Sequence, residues 1–168
     1  PLRSREVPWG ISGLKARHYR QLKLANSLLN VALDYTLLLM STGGFAMIEH
    51  PAEPKHRIRA PSIWRLPQYC WILGAPCVTH INFNQSIHGQ IAKKPTGIMA
   101  MRLPSLSKHI RKPQGHIDDV VVGVLGGWDE SRGVWRTAGA KEYPPSMCRA
   151  IGMAVVDAVG TMMLSCVD

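Results

Sequence analysis

The longest regular pattern of apolar and polar positions lies in the first quarter of the chain. Between residues 14 and 42, apolar side chains recur every three to four positions, at Leu22, Ala25, Leu29, Leu33 and Leu37. This spacing places them on one face and predicts a helix. From Leu28 to Met40 the pattern is apolar almost all round, so we expect that half of the helix to be buried. Ser12 is a candidate N-cap, and Gly43-Gly44 supplies the stop.

A short apolar run follows the two glycines and leads into polar residues. Phe45 to Ile48 run directly into Glu49, His50 and Pro51. A run of this length after a helix stop predicts a buried strand of a parallel sheet. In open α/β sheets the working residues lie just past the carboxyl ends of such strands, and Glu49 and His50 occupy that position. The alternative is that both residues simply begin a polar loop.

The next segment predicts a loop and a short helix. Between residues 51 and 61, three prolines and four basic side chains indicate an exposed loop above the strand end, with Arg57 and Arg59 as candidates for contact with a substrate. Ser62 is expected to cap a helix over residues 63–73, which Pro67 limits or breaks. We expect tryptophans 64 and 71 to pack this helix against the sheet.

The rest of the chain predicts two further strands and one further helix. Residues 77–84 alternate in polarity and residues 97–103 are apolar, so the two segments could pair as a hairpin with a long connection. Residues 104–119 are basic and irregular, residues 120–125 could form a short strand, and residues 129–139 resemble a loop. Two prolines open a last helix over about residues 146–164. Its expected buried positions are Met147, Ile151, Val155 and Val159.

Length and composition indicate one intracellular globular domain. The chain has 168 residues, of which 46% are hydrophobic and 18% charged, so it can bury a core of ordinary size. No uninterrupted apolar run reaches the ~18 residues of a membrane span, so we expect no membrane partner. No apolar segment follows the basic residues of the N-terminus as in a signal peptide, so we expect a nuclear or cytoplasmic location. Residues 1–13 form a basic lead-in and residues 14–168 the domain. Because the chain opens on Pro1 rather than methionine, we expect it to be part of something longer.

The charge balance favours anionic partners. Twenty Lys and Arg against eleven Asp and Glu give a formal net charge of +9. That charge favours partners such as nucleic acid, whether DNA or RNA, or nucleotide phosphates. The basic residues are spread along the chain without the blocks that mark a nucleic-acid tail. A basic surface without a partner is therefore the alternative.

The cysteines do not indicate a metal site. Cys70, Cys77, Cys148 and Cys166 form no CxxC pair and have no zinc-ligand spacing with the seven histidines. They predict reduced, mostly buried thiols in an intracellular protein.

Three short motifs in a fixed order resemble one known family. They are Ile48-Glu49-His50-Pro51, Lys94-Pro95-Thr96-Gly97-Ile98 and Glu142-Tyr143-Pro144-Pro145, with Ser62-Ile63-Trp64 between the first two. This series resembles the second half of cytosine-5 DNA methyltransferase-like proteins, especially the divergent phage-type and algal mobile-element-type branch. The match spans roughly residues 43–160.

The resemblance implies a fold and roles for several residues. It implies a class I S-adenosylmethionine-dependent methyltransferase fold, here a partial Rossmann-like sheet of about three strands flanked by helices. In that family the glutamate contacts the target cytosine and assists attack on its ring, a role that falls to Glu49. Lys94 lies where the family has a basic residue near the flipped base or phosphate. Thr96 beside it and His50, which replaces an asparagine, complete the substrate-binding candidates.

Two family motifs do not occur in these residues. There is no glycine-rich loop for S-adenosylmethionine and no Pro-Cys at a strand end ahead of Glu49. Pro76-Cys77 follows the glutamate instead of preceding it, so Cys77 has only a small chance of acting as a nucleophile. We therefore expect the complete domain to bind S-adenosylmethionine and this chain to be inactive alone. The alternative is a non-catalytic nucleic-acid-binding or mobile-element-derived remnant.

Overall fold

The computed structural model describes residues 2–55, 59–90, 93–111, 128–131, 133–135 and 142–164. The helices are α1 (Ala16–Ser41), α2 (Pro67–Leu73), α3 (Leu106–Arg111) and α4 (Pro145–Leu164). The strands are β1 (Ala46–Pro51), β2 (Val78–Asn84), β3 (Pro95–Met101), β4 (Trp128–Asp129) and β5 (Val134–Trp135). Two 3-10 turns, Ile63–Arg65 and Gln85–His88, precede α2 and follow β2.

The central sheet has three strands in the order β1-β3-β2, and β3 is antiparallel to both neighbours. The mixed α/β class and the pairing of β2 with β3 are confirmed. The expectation that β1 belongs to a parallel sheet is wrong, and the strand order is not that of a Rossmann fold. The apolar run 45–48 is half-buried and packs on both faces, Phe45 and Met47 against one core and Ile48 against the other. Helices on both sides of a sheet produce such a run in parallel and antiparallel strands alike.

Helices cover both faces of the sheet, and each face has its own core. On one face, α3 and α4 pack against Ile81, Ile98 and Ala100. On the other face, Met99 packs against α1, α2 and the 3-10 turn that contains Trp64. Because successive strand residues point to opposite faces, neighbouring residues of one strand belong to different cores.

The long N-terminal helix forms as expected, but only one side of its second half is buried. Its described buried residues are Leu22, Leu33 and Thr36. Outward-facing apolar residues remain exposed, namely Leu24, Leu28, Val31, Tyr35, Leu37 and Leu38. The apolar pattern of a helix does not show which of its faces will pack against another element. In this fold, α1 packs against the sheet along one side only. The N-cap is Lys15 without a side-chain cap, rather than Ser12, whereas Gly43 ends the helix with φ of +79° as expected.

The segment after the first strand follows its prediction closely. The Ser62 hydroxyl accepts a hydrogen bond from the Trp64 backbone N–H at the start of the 3-10 turn. Pro67 separates that turn from α2, because its ring cannot continue the preceding turn. Trp64 is buried in the core as predicted. Trp71 is 66% exposed, so the expectation that it packs against the sheet is wrong.

The C-terminal helix uses alanines where larger residues were expected. Its described buried residues are Met147, Ala150, Ala154 and Ala158. Ile151 is half-buried and packs against the core, whereas Val155 and Val159 are exposed, so the predicted face is wrong in the second half of the helix. Alanine contributes little to the apolar pattern of a sequence, but its small side chain lets a helix lie close to its neighbour.

The stretch between β3 and α4 contains more regular structure than its sequence predicts. Residues 106–111, expected to be irregular, form α3, and β4 and β5 form a two-stranded pair in the predicted loop. The strand expected over residues 120–125 lies outside the described residues. Cys70 and Cys148 are exposed and Cys77 is half-buried, so these three free thiols are not mostly buried; Cys166 lies outside the description.

Within the described part of the chain, two helices are long and apolar enough to cross a membrane, judged by length and composition alone. Windows of 18 residues reach a mean hydropathy of 1.2 in α1 and 1.5 in α4. The expectation of no membrane span rested on uninterrupted apolar stretches. A window of 18 residues can reach a high mean hydropathy even when polar residues interrupt it. Core helices of proteins in water pass the same measure, so the finding assigns neither helix to a membrane.

Candidate functional site

Glu49 lies within β1, on the face covered by α3 and α4. It pairs across the sheet with Ile98, whose side chain belongs to the core on that face. His50, the next residue, points to the opposite face, where it lies edge-on to Trp64 with ring centroids 6.1 Å apart. The expectation that both residues lie past the strand end is wrong, and strand alternation separates them.

A buried amide joins Glu49 to β3. The Gln85 side chain is fully buried, and its Nε2 donates to Glu49 Oε1 at 3.5 Å and to Thr96 Oγ1 at 3.0 Å. Thr96 is also fully buried and donates through its hydroxyl to the Lys94 carbonyl at 3.1 Å. This chain of hydrogen bonds connects one carboxylate oxygen to the Lys94-Pro95-Thr96 motif.

A phenol from the start of α4 reaches the other oxygen of the same carboxylate. The Tyr143 hydroxyl donates to Glu49 Oε2 at 3.1 Å, across 94 positions of sequence. The Lys94 ammonium lies 5.6 Å from the centroid of the Tyr143 ring, within the range of a cation–π contact. We call Glu49, Gln85, Lys94, Thr96 and Tyr143 the Glu49 cluster. All three resemblance motifs therefore contribute a side chain to one place.

The electrostatics of the cluster favour a neutral phenol. Burial, the negative charge of Glu49 and the hydrogen bond to that carboxylate raise the pKa of Tyr143 to about 12. The phenol consequently remains a hydrogen-bond donor throughout the physiological pH range. A fixed donor against a carboxylate holds both groups in one orientation.

A second polar pair lies close by on the same side of the sheet. His88, which is buried at the end of its 3-10 turn, has its Nδ1 3.1 Å from the Ser146 hydroxyl of α4. Burial lowers the pKa of His88, so its imidazole is neutral at pH 7. The pair anchors the turn after β2 to the first turn of α4, and thereby holds Gln85 and Tyr143 in place.

The opposite face carries an aromatic group without a carboxylate in direct contact. Trp64 lies between His50 and His80, with the His80 ring centroid 4.5 Å away. The indole N–H donates to the Pro51 carbonyl at 2.9 Å. Burial lowers the pKa of both histidines, more than nearby charges raise it. His50 therefore serves the packing of this face and lies apart from the Glu49 cluster.

The remaining candidates are distributed elsewhere. Arg59 is exposed and its carbonyl accepts a hydrogen bond from the Arg5 N–H, so it lies beside the N-terminal lead-in. Arg57 lies outside the described residues. Cys77 precedes Val78, whose partner on β3 is Met101. That position is roughly 10 Å further along β3 than the partner of Glu49, so the Cys77 thiol lies at the other end of the sheet.

Sequence reasoning missed two members of the cluster. Gln85 follows a strand directly, yet a polar residue there ordinarily begins a loop, and only its complete burial distinguishes it. Tyr143 belongs to a motif that was recognised, but a tyrosine ahead of two prolines more often marks a helix start. Pairing across 94 positions leaves no local pattern in the sequence.

Neither a metal-ligand cluster nor a strand-to-helix glycine loop occurs among the described residues. No group of three or more His, Cys, Asp or Glu side chains is close enough to hold a metal within the described part of the chain. Gly43-Gly44 ends α1 instead of joining a strand to a helix N-terminus, so it cannot cradle the cofactor as a glycine-rich loop does. The other glycine pair, 126–127, lies outside the described residues.

The chemistry that the cluster offers is hydrogen-bond acceptance beside a positive charge. A carboxylate accepts from amino groups such as the N4 amine of cytosine, and an ammonium attracts phosphate. No family model, curated protein or solved structure matches this chain.

Proposed function

We propose that this chain is a nucleic-acid-binding part of a cytosine-5 DNA methyltransferase-like domain, in which Glu49 contacts a nucleobase. The observation that carries the proposal is the convergence on one carboxylate of Glu49 itself, the Lys94–Thr96 motif and Tyr143. These motifs are far apart in the sequence, and a common role at one site is a reason for the fold to bring them together.

The finer fold assignment belongs to the same proposal. In the described sheet, β1 and β2 run in the same direction on either side of β3, and β1 has β3 as its described partner. A class I methyltransferase sheet requires further parallel strands at the other edge of β1. S-adenosylmethionine is then held by the complete domain, and no catalytic step is assigned to it within this chain.

DNA is the proposed partner, with RNA as the second choice. The formal charge of +9 favours a polyanion, and phosphate contacts make such binding strongly dependent on salt. A carboxylate reads an amino-bearing base edge and rejects a keto group in the same position, typically by about 1–3 kcal/mol. Cytosine is therefore distinguished from thymine.

A second function is supported by one observation. Both oxygens of Glu49 already accept hydrogen bonds, from Gln85 and Tyr143. A carboxylate occupied in this way also suits a structural role, in a remnant that binds nucleic acid through its basic surface alone. In that case binding depends on salt but is indifferent to the base.

The experiment measures binding to labelled DNA duplexes that carry one unpaired cytosine or one unpaired thymine, at a series of salt concentrations. An unpaired base is easily extruded, so its contacts dominate any preference. We expect preference for cytosine, its loss in Glu49→Gln, and its retention in Glu142→Gln, which removes a neighbouring exposed charge. Equal affinity for the two duplexes would support a non-catalytic remnant that binds through its basic surface alone. Failure to bind either duplex at low salt would contradict both proposed functions.

A methyl-transfer assay tests the expected inactivity. Incubation with labelled S-adenosylmethionine and cytosine-containing DNA should incorporate no label above a protein-free control. Incorporation that disappears in Glu49→Gln would overturn that expectation.

A further inference from the structure

The outer face of α1 carries a continuous line of exposed apolar side chains. These residues, which we call the α1 seam, are Leu24, Leu28, Val31, Tyr35 and Leu38, each between 49% and 63% exposed. They account for most of the large apolar side chains that α1 presents to solvent. Single exposed apolar residues are ordinary, but a contiguous line of five marks an interaction surface.

The spacing along the seam is that of a helix-to-helix interface. Successive members are separated by four, three, four and three residues, which is the heptad spacing of a two-helix coiled coil. At 3.6 residues per turn the seam lies about 150° around the axis from the buried stripe of Leu22, Leu33 and Thr36. The helix therefore has one apolar stripe for its own domain and another directed outward.

The borders of the seam limit what can cover it. Lys23, Ser27, Asn30 and Asp34 are exposed along one border, with Lys23 at its N-terminal end, and the half-buried Ala25 and Ala32 lie along the other. A helix lying in a membrane surface presents a broad apolar face with basic residues beside it. From Ser27 to Leu38 the helix has no basic residue and its one charge is Asp34, so a partner helix fits the seam better than a membrane surface does.

We propose that the partner is α1 of a second copy of this chain, packed antiparallel. The seam is nearly symmetric about Val31, since Leu24 and Leu38 each lie seven positions away from it. An antiparallel copy places Leu24 against the second copy's Leu38 and Leu28 against its Tyr35. An interface of this isologous type uses the same patch twice, as two-fold symmetric dimers require.

The size of the seam predicts a weak dimer. From residue 24 to residue 38 the helix rises about 21 Å, so the contact falls at the low end of specific interfaces. We expect a dissociation constant in the micromolar range. The Glu49 cluster lies on the face of the sheet that α4 covers, whereas α1 packs on the other face, so dimerisation does not depend on the proposed base contact.

Sedimentation velocity of the full chain, from low to about 200 µM, tests the proposal. The wild-type protein should shift from monomer to dimer. Leu28→Glu and Tyr35→Lys should each remain monomeric over that range while keeping the wild-type circular dichroism spectrum. Val156→Glu, which places the same charge on an equally exposed apolar position of α4, should dimerise like the wild type.

The double variant Leu28→Glu/Tyr35→Lys separates the two possible orientations. An antiparallel pair brings each introduced carboxylate against an introduced ammonium, so dimerisation should return. A parallel pair sets like charges against each other, so a double variant that stays monomeric overturns the antiparallel arrangement. A wild-type protein that remains monomeric at the highest concentration, or binds vesicles without dimerising, overturns the proposal itself.

Discussion

At the scale of single residues, the hydrogen bond between Tyr143 and Glu49 joins two segments that lie 94 positions apart in the sequence. It connects β1 to the start of α4, and the phenol has a pKa of about 12 because of burial and the adjacent carboxylate. Two of the three leading causes of that shift involve Glu49. Removing the charge of Glu49 should therefore change how Tyr143 titrates, whatever ligand the site takes.

We expect Glu49→Gln to lower the pKa of Tyr143 from about 12 toward its ordinary value of about 10. Burial remains in the variant, so the shift should not disappear completely. Nuclear magnetic resonance of labelled tyrosine rings near pH 10.5 should show Tyr143 neutral in the wild type and partly ionised in Glu49→Gln. Glu142→Gln is the control, and identical titration of Tyr143 in all three proteins contradicts the hydrogen bond.

A glycine in β3 shows how little space the aromatic face leaves. A Cβ added at Gly97 would lie 2.9 Å from ring atoms of Trp64, which is buried and held by its hydrogen bond to Pro51. The indole cannot retreat without breaking that bond. The strand can therefore approach the ring only because residue 97 has no side chain.

Gly97→Ala should destabilise the protein by about 1–3 kcal/mol, as overpacking does in a well-packed core. The matched variant is Gly152→Ala in α4, where an added Cβ meets no atom within 4 Å. That change should instead stabilise by about 0.5–1 kcal/mol, since alanine favours a helix. Urea unfolding measures both, and equal effects of the two substitutions would contradict the packing of Trp64.

At the scale of elements, an arginine fastens the end of α1 to the end of β3. Arg102 has φ of +55°, unusual for a residue with a side chain. Its guanidinium donates to the carbonyls of Met40 at 3.2 Å and Gly44 at 3.1 Å. Carbonyls at a helix C-terminus lack partners within the helix, and a cation there also compensates their partial negative charge.

We expect Arg102→Ala to cost about 1–3 kcal/mol, because charge-assisted hydrogen bonds are lost while the positive φ remains. Arg102→Gly also loses these bonds but relieves the backbone, so it should be less destabilised than Arg102→Ala. Thermal unfolding compares the two. An alanine variant as stable as the wild type would mean that the guanidinium contacts contribute nothing.

At the scale of the whole molecule, the partial desolvation of neutral histidines links stability to pH. His50 and His80 flank Trp64 and His88 lies on the other face, and burial lowers the pKa of all three. The unfolded chain binds protons on these histidines more readily than the folded protein does. The contribution of these neutral histidines to the free energy of unfolding should therefore be fully present above about pH 6.5, the pKa of histidine in the unfolded chain. It should decrease as the pH drops below that value.

We expect the melting temperature to decrease between pH 7.5 and pH 5.5. The double variant His50→Gln/His80→Gln should show a shallower decrease, because two of the groups that take up protons on unfolding are gone. Differential scanning calorimetry at several pH values provides the comparison. An equal slope in both proteins would contradict a role of these two histidines.

The local pattern of apolar residues, glycines and prolines was sufficient to predict most of the helices and strands. The periodicity of residues 14–42, the glycine stop at residue 43, the break at Pro67 and the alternation of residues 77–84 all have local causes. Helix caps, proline rings and glycine φ angles act over a few residues, so a sequence reports them directly. The resemblance motifs predicted that Glu49, His50, Lys94 and Thr96 share one site. The fold brings Glu49, Lys94 and Thr96 together and places His50 on the opposite face.

Only the tertiary structure decided strand direction, the buried faces and the partners of Glu49. A run such as residues 45–48 is equally apolar in parallel and antiparallel sheets, and α1 has two apolar stripes of which the fold buries one. Gln85 and Tyr143 reach Glu49 from 36 and 94 positions away. These outcomes depend on which distant surfaces meet, and no window of neighbouring residues contains that information.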